Sequence, residues 1–149
     1  MRRLAGAIFA LAPLLLAARC GAPKDPVGAA LDAMVRAADA RDAGALFDRI
    51  APGFSAADGS TRDDARATVE RYFAAYEILD VRLEDVRIER GGSDAARVRF
   101  RARMSGQPRK IGGLEGLVPS SSAYDFDLRL TNDGGVWKVA WAQWNPSGG

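Results

Sequence analysis

The chain has 149 residues, 48% hydrophobic and 27% charged, with a formal net charge of +2. This composition sets one globular domain as the prior and excludes disordered and fibrous classes. One cysteine and no histidine exclude an intramolecular disulfide and remove the usual zinc ligands and neutral-pH base, so no metal, no cofactor and no Ser-His-Asp chemistry is expected.

In chain order, the first segment has the parts of a secretory signal: Arg2 and Arg3, an apolar run from Leu4 to Ala18, and small residues before Cys20. The run is shorter than the roughly 20 residues a spanning helix needs, and Pro13 interrupts it. Residues 1–19 read as a signal peptide and 20–24 as a cysteine with a short tether. Leu16-Ala17-Ala18-Arg19-Cys20 resembles the lipobox of bacterial lipoproteins, departing from it at Arg19, where that family has Gly, Ala or Ser. The resemblance implies that Cys20 is acylated and ties the protein to a membrane of the cell envelope. Gly21, in place of Asp, is similar to the outer-membrane sorting pattern of Gram-negative lipoproteins. Without lipidation the same signal implies a periplasm-facing or secreted protein. Starting at Cys20 removes three of the 21 basic residues and leaves 18 against 19 acidic ones. The basic charge therefore belongs to the signal, and no nucleic-acid partner is expected.

The folded domain is expected over residues 25–146. Asp25-Pro26 pairs a good N-cap with a good first helical residue, and Val27, Ala30, Leu31, Met34, Val35 and Ala38 recur at helical spacing to about Ala40. Asp42 caps a shorter helix through Leu46, Phe47 and Ile50, stopped by Pro52-Gly53. Ser60 or Thr61, with Asp63 or Asp64 three residues on, opens a third helix. Its inward face is Ala65, Val69, Tyr72, Phe73 and Tyr76, and it ends near Glu77.

The period then changes to two. Val81 and Leu83, then Val86 and Ile88 in the opposite phase, predict a strand with a bulge around Glu84-Asp85. Val98, Phe100, Ala102 and Met104 alternate with Arg97, Arg99, Arg101 and Arg103, and Tyr124, Phe126, Leu128 and Leu130 alternate with Asp125, Asp127 and Arg129. Asn132-Asp133-Gly134-Gly135 turns the chain into a last strand with all three tryptophans. The sheet is expected to be antiparallel and continuous in sequence, with a long glycine- and serine-rich loop over 105–122.

Three helices followed by long antiparallel strands predict an α+β fold, with the helices packed in the concave face of a curved sheet. This layout resembles the nuclear-transport-factor-2-like superfamily, the cone-shaped fold of ketosteroid isomerases and polyketide-cyclase-like proteins. The local features are the hairpin closed by Ile50-Ala51-Pro52-Gly53-Phe54, the third helix from Ser60 to Tyr76, and the closing segment Gly134 to Pro146. The resemblance implies a cavity between sheet and helices. Tyr72, Tyr76, Tyr124, Phe126, Trp137 and Trp141, with Trp144 a further candidate, are placed in or near it, either as plain core or as walls for a small apolar ligand. An isomerase would need a carboxylate base facing the cavity and acidic donors for an enolate. The first helix lacks the tyrosine that family has there, and Asp125 and Asp127 alternate away from the pocket, so no catalytic residue is assigned. Arg97, Arg99, Arg101 and Arg103 lie on the other sheet face, about 6.6 Å apart. They either pair across strands with acids or meet an anionic partner or a second copy of the chain. The reading is a cell-envelope lipoprotein whose non-catalytic domain binds a small apolar ligand or a protein partner, with an isomerase- or cyclase-type enzyme as the alternative.

Overall fold

The Asp25 carboxylate accepts a hydrogen bond from the Val27 amide at 3.0 Å, and Pro26 takes the first position of α1 (Pro26–Asp39). The computed structural model describes residues 25–110 and 118–147. The expected signal, tether and Cys20 lie outside the described residues, as does the middle of the long loop. Helix α1 buries Val27, Ala30, Leu31 and Ala37. It ends with Arg41 in the left-handed region at φ 54°, where the Arg41 and Asp42 amides donate to the Ala38 and Ala37 carbonyls at 2.9 and 2.8 Å. Glycine usually holds that position. Here the arginine gains a compensating bond, its guanidinium donating to the Tyr76 carbonyl at 2.7 Å.

Asp42 caps the short α2 (Ala43–Phe47), accepting from the Ala45 amide at 2.9 Å. The chain then departs from expectation. Pro52-Gly53 does not stop it but lies inside a strand, β1 (Ile50–Ala56). This strand is at the sheet edge, and its pairing with the last strand skips from Ile50↔Val139 to Ser55↔Trp141. Pro52 and Gly53 fall in that irregular stretch, where no ladder bond is asked of a proline. Thr61, rather than Ser60, then caps α3 (Arg62–Ala74) in a reciprocal box with Asp64. The Thr61 amide donates to Asp64 at 2.9 Å and the Asp64 amide to Thr61 Oγ1 at 3.3 Å.

Helix α3 stops about one turn earlier than the apolar spacing suggests. Tyr76 begins β2 (Tyr76–Arg90) instead of closing the helix face, and its carbonyl accepts from Arg41 and Arg109, the latter at 3.2 Å. Strands β3 (Ala95–Pro108), β4 (Ser121–Asp133) and β5 (Val136–Pro146) complete an order β1-β5-β4-β3-β2. The four long strands form an antiparallel meander, but β1 is parallel to β5. The sheet is therefore mixed, because β1 covers the edge that the last strand would otherwise leave open. The expected bulge is present: pairing shifts between Glu84 and Arg87, with Asp85 at φ 55°.

The long loop is shorter than its composition suggests. Ser105 pairs with Ser121 and the Gly106 amide donates to the Ser120 carbonyl at 2.9 Å, so both strands run on into the glycine- and serine-rich segment. Gly106 is required there, since a Cβ would sit 2.6 Å from the Ile78 carbonyl oxygen and 2.7 Å from the Tyr76 ring. Three helices against a curved five-stranded sheet make this an α+β fold. One buried cluster joins Val27, Ala30 and Leu31 of α1 to Val98, Leu130, Trp137 and Val139 of the sheet. A smaller one gathers Phe73, Tyr76 and Leu79.

Candidate functional site

On the concave face the inward residues of neighbouring strands stand directly opposite one another. Phe100, Phe126 and Trp144 form one such rank across β3, β4 and β5. The two phenylalanine rings stack at 5.2 Å and 15°, and Trp144 follows Phe126 at 6.4 Å. The helices do not press down on this rank. Between it and Met34, Phe47, Val69 and Tyr72 lies a cavity of about 560 Å³. A second hollow, against Asp64, Ala67, Glu70 and Arg71, runs along one side of α3; it is open to solvent and encloses nothing.

The cavity lining is mostly apolar, with Leu83, Met104 and Leu128 filling in around the aromatics. Its polar side chains are Asp58, Ser60, Thr68, Tyr72 and Tyr124. Asp58 is exposed at the rim and accepts from the Ser60 amide at 2.9 Å. That bond, foremost, holds the Asp58 carboxyl below the usual carboxylate range, which makes it a weak base. Tyr72 and Ser122 share a hydrogen bond at 3.3 Å.

Of the aromatic residues singled out from the sequence, Tyr72, Tyr124, Phe126 and Trp144 line the cavity, while Tyr76, Trp137 and Trp141 stand outside its lining. Tyr76 is 2% exposed, with its ring against Gly106 and its hydroxyl donating to the Pro119 carbonyl at 2.7 Å. Burial, and secondarily its neighbour Tyr72, push that hydroxyl well above its ordinary pKa. Trp137 is packed into the α1 cluster, with the Arg90 guanidinium 5.0 Å from its ring. Trp141 pairs with outward-facing Arg129, whose guanidinium lies 4.5 Å over the indole. The cause is one irregularity: the ladder passes from Arg129↔Trp141 to Leu130↔Val139, so Ala140 is an extra residue that reverses the phase of β5. Trp137 and Val139 face in on one side of it, Ala142 and Trp144 on the other.

Several lining residues carry no sequence signal of their own. Met34, Phe47 and Leu83 read as ordinary core positions, and Asp58, Ser60 and Thr68 as turn or helix-surface polarity. Phe100 was detectable as the inward partner of the arginine stripe, though not as a pocket wall.

On the outer face every arginine of the stripe already holds a carboxylate. Arg97 grips Asp127 with two bonds of 2.9 and 2.5 Å, Arg101 bonds Asp125 at 2.9 Å, Arg103 reaches both oxygens of Glu84 at 2.8 Å, and Arg99 pairs with Glu89. These pairs, led by the hydrogen bonds, hold Asp125 and Asp127 below the usual carboxylate range. Asp125 and Asp127 are thus spent outside the cone. Among the described residues no group of three or more His, Cys, Asp or Glu is arranged to hold a metal ion. No helix among them is long and apolar enough to cross a membrane.

No family model matches the chain, and no curated protein matches it either. Solved structures do. A candidate scytalone dehydratase of Novosphingobium aromaticivorans superposes with a TM-score of 0.71 at 13% identity over 83% of each chain. A candidate dehydratase of the nuclear-transport-factor-2-like family from Streptomyces avermitilis gives 0.68 at 18% identity, over 82% of this chain and 94% of that one. A protein of Bdellovibrio bacteriovorus gives 0.66 at 16% identity over 82% of this chain, which spans 40% of its length. With the helices, the meander and the cavity described above, these likenesses establish that the chain has the nuclear-transport-factor-2-like fold.

Proposed function

We propose that the domain binds a small apolar ligand inside the cone without acting on it, and that a lipid on Cys20 holds it at a bacterial cell envelope. The observation that carries the binding half is the cavity of about 560 Å³, a size typical of small-molecule sites. Protein interiors normally close such space, because side chains bordering a void lose packing contacts. Here the space stays open behind a rank of three aromatic rings, with two phenols among the lining residues to orient a guest. The anchoring half rests on the segment Leu16 to Cys20.

Catalysis is left out of the reading because the cavity offers a poor base. Asp58 is its one carboxylate among the described residues, and its bond to Ser60 weakens it further. The second reading, an enzyme working on a hydrophobic carbonyl compound, has two points in its favour. Two of the similar structures are described as candidate dehydratases, and Asp58 does reach the cavity rim.

Native mass spectrometry of the protein purified gently from a bacterial envelope tests the binding claim. A reproducible added mass of small-molecule size is expected, and a bare protein overturns it. A guest that is chemically converted on incubation moves the assignment to the enzyme reading. For the anchor, Cys20→Ser is expected to shift the protein from the membrane fraction to the soluble one, and unchanged fractionation ends that claim.

A further inference from the structure

We infer that the cavity selects neutral ligands whose polar end is a hydrogen-bond acceptor, such as a ketone or ester on an alkyl or aryl body, and rejects the matching carboxylates. The inference rests on the proposal that the cavity holds a ligand, and it adds the chemical class of that ligand.

Selection by charge follows from what lines the space. Among the described lining residues there is no lysine or arginine, and the single ionisable acid is Asp58 at the rim. A carboxylate entering the cone would leave its water without meeting a counter-charge, and it would pass Asp58 on the way. The nearby guanidiniums stand outside the lining. Arg41 and Arg109 both donate to the Tyr76 carbonyl, while Arg62 and Arg66 stand 5.4 and 5.7 Å from the centre of the Phe47 ring.

Selection for an acceptor follows from the hydroxyls. The Tyr72 and Tyr76 rings are 5.0 Å apart, so these phenols gather at one end of the helix–sheet gap. Tyr76 has already given its proton to the Pro119 carbonyl in a bond of 2.7 Å. The Tyr72 hydroxyl is shared between Ser122, at 3.3 Å with either oxygen able to donate, and the neighbouring Tyr76 hydroxyl; the Ser122 contact is long for a bond between hydroxyls. Tyr124 lines the cavity and its hydroxyl has no hydrogen-bond partner among the described residues. Tyr124 therefore has a donor to offer a guest's polar end, and Tyr72 has one it can exchange from its long contact with Ser122, with the apolar wall of Phe100, Met104 and Phe126 for the guest's body.

The test is isothermal titration calorimetry of the purified full chain with methyl nonyl ketone and with decanoate at neutral pH. The two probes carry the same alkyl chain on a carbonyl and differ only in methyl against a charged oxygen. The ketone is expected to bind at least about tenfold more tightly, and Tyr72→Phe and Tyr124→Phe are each expected to weaken it about three- to tenfold. Equal or tighter binding of decanoate overturns the charge selection while leaving cavity binding in place. Retained ketone affinity in both tyrosine variants overturns the hydroxyl assignment. If neither probe binds, the ligand-binding reading itself falls.

Discussion

Ala96 and Ala102 lie on the same strand, face the same way and are equally buried, at 5% and 4% exposure. Yet Ala96 sits in solid core with Val98, Leu130 and Trp137, while Ala102 looks into open space. The difference is made by what lies opposite. At the Ala96 end, α1 brings Val27, Ala30 and Leu31 down onto the sheet. At the Ala102 end the inward rank meets Tyr72 and Val69 of α3 across the cavity. The same alternating pattern thus produces a core in one half of the cone and a pocket in the other.

The comparison is most sharply tested by matched leucines. Leu130 is 1% exposed within the packed cluster, so Leu130→Ala is expected to cost about 2–5 kcal/mol. Leu83 borders the cavity and is only half-buried. With fewer neighbours to lose, Leu83→Ala is expected to cost about 1 kcal/mol. Denaturant midpoints with unchanged slopes measure both. Equal costs would mean that the cavity half is as tightly packed as the other.

Adding volume reverses the roles. Ala96→Leu overfills a closed core and is expected to cost about 1–3 kcal/mol. Ala102→Leu points into free space and is expected to stay within about 1 kcal/mol of the parent while abolishing any ligand signal in native mass spectrometry. A strongly destabilised Ala102→Leu would show that the space closes in solution.

How much of this was legible in the sequence follows from the same contrast. Period and caps located α1, the start of α3, the β2 bulge and the Gly134-Gly135 hairpin, because each depends on neighbours a few residues apart. Strand β1 was missed because Pro52-Gly53 reads as a stop, and only the edge position and irregular pairing with β5 make it tolerable. Tyr76 was placed on a helix because its spacing fits α3; two guanidiniums from distant segments on its carbonyl accompany the change to strand. For the site, alternation told which residues face inward but not how far the helices stand off. Trp141 went to the wrong face because one extra residue, Ala140, reverses the phase, and nothing local in Val136 to Trp144 marks it.

The smallest effects are expected on the outer face, where neither half of the cone is involved. Arg97 and Asp127 form the best of the stripe's pairs, with two bonds and the acid side chain only 23% exposed. Exposed pairs contribute little at neutral pH, so Asp127→Asn is expected to move the Tm by no more than about 2 °C there. Its signature is in acid. The Arg97 hydrogen bonds, then charge attraction, lower the folded-state pKa of Asp127 from its ordinary value of 3.8, so the stabilisation is complete above that value and is lost as pH falls through the lower, folded one. The parent Tm should therefore be level from neutral pH down towards the ordinary carboxylate range and fall below it, with a shallower fall in Asp127→Asn. An unchanged acid slope would mean that the pair is not formed in solution. The double variant Arg99→Glu with Arg101→Glu sharpens the point by setting like charges beside Glu89 and Asp125. If the face only meets solvent, that variant loses a little stability and keeps its oligomeric state and its ligand. A change in mass by light scattering, with folding intact, would instead show that the stripe holds a second copy of the chain.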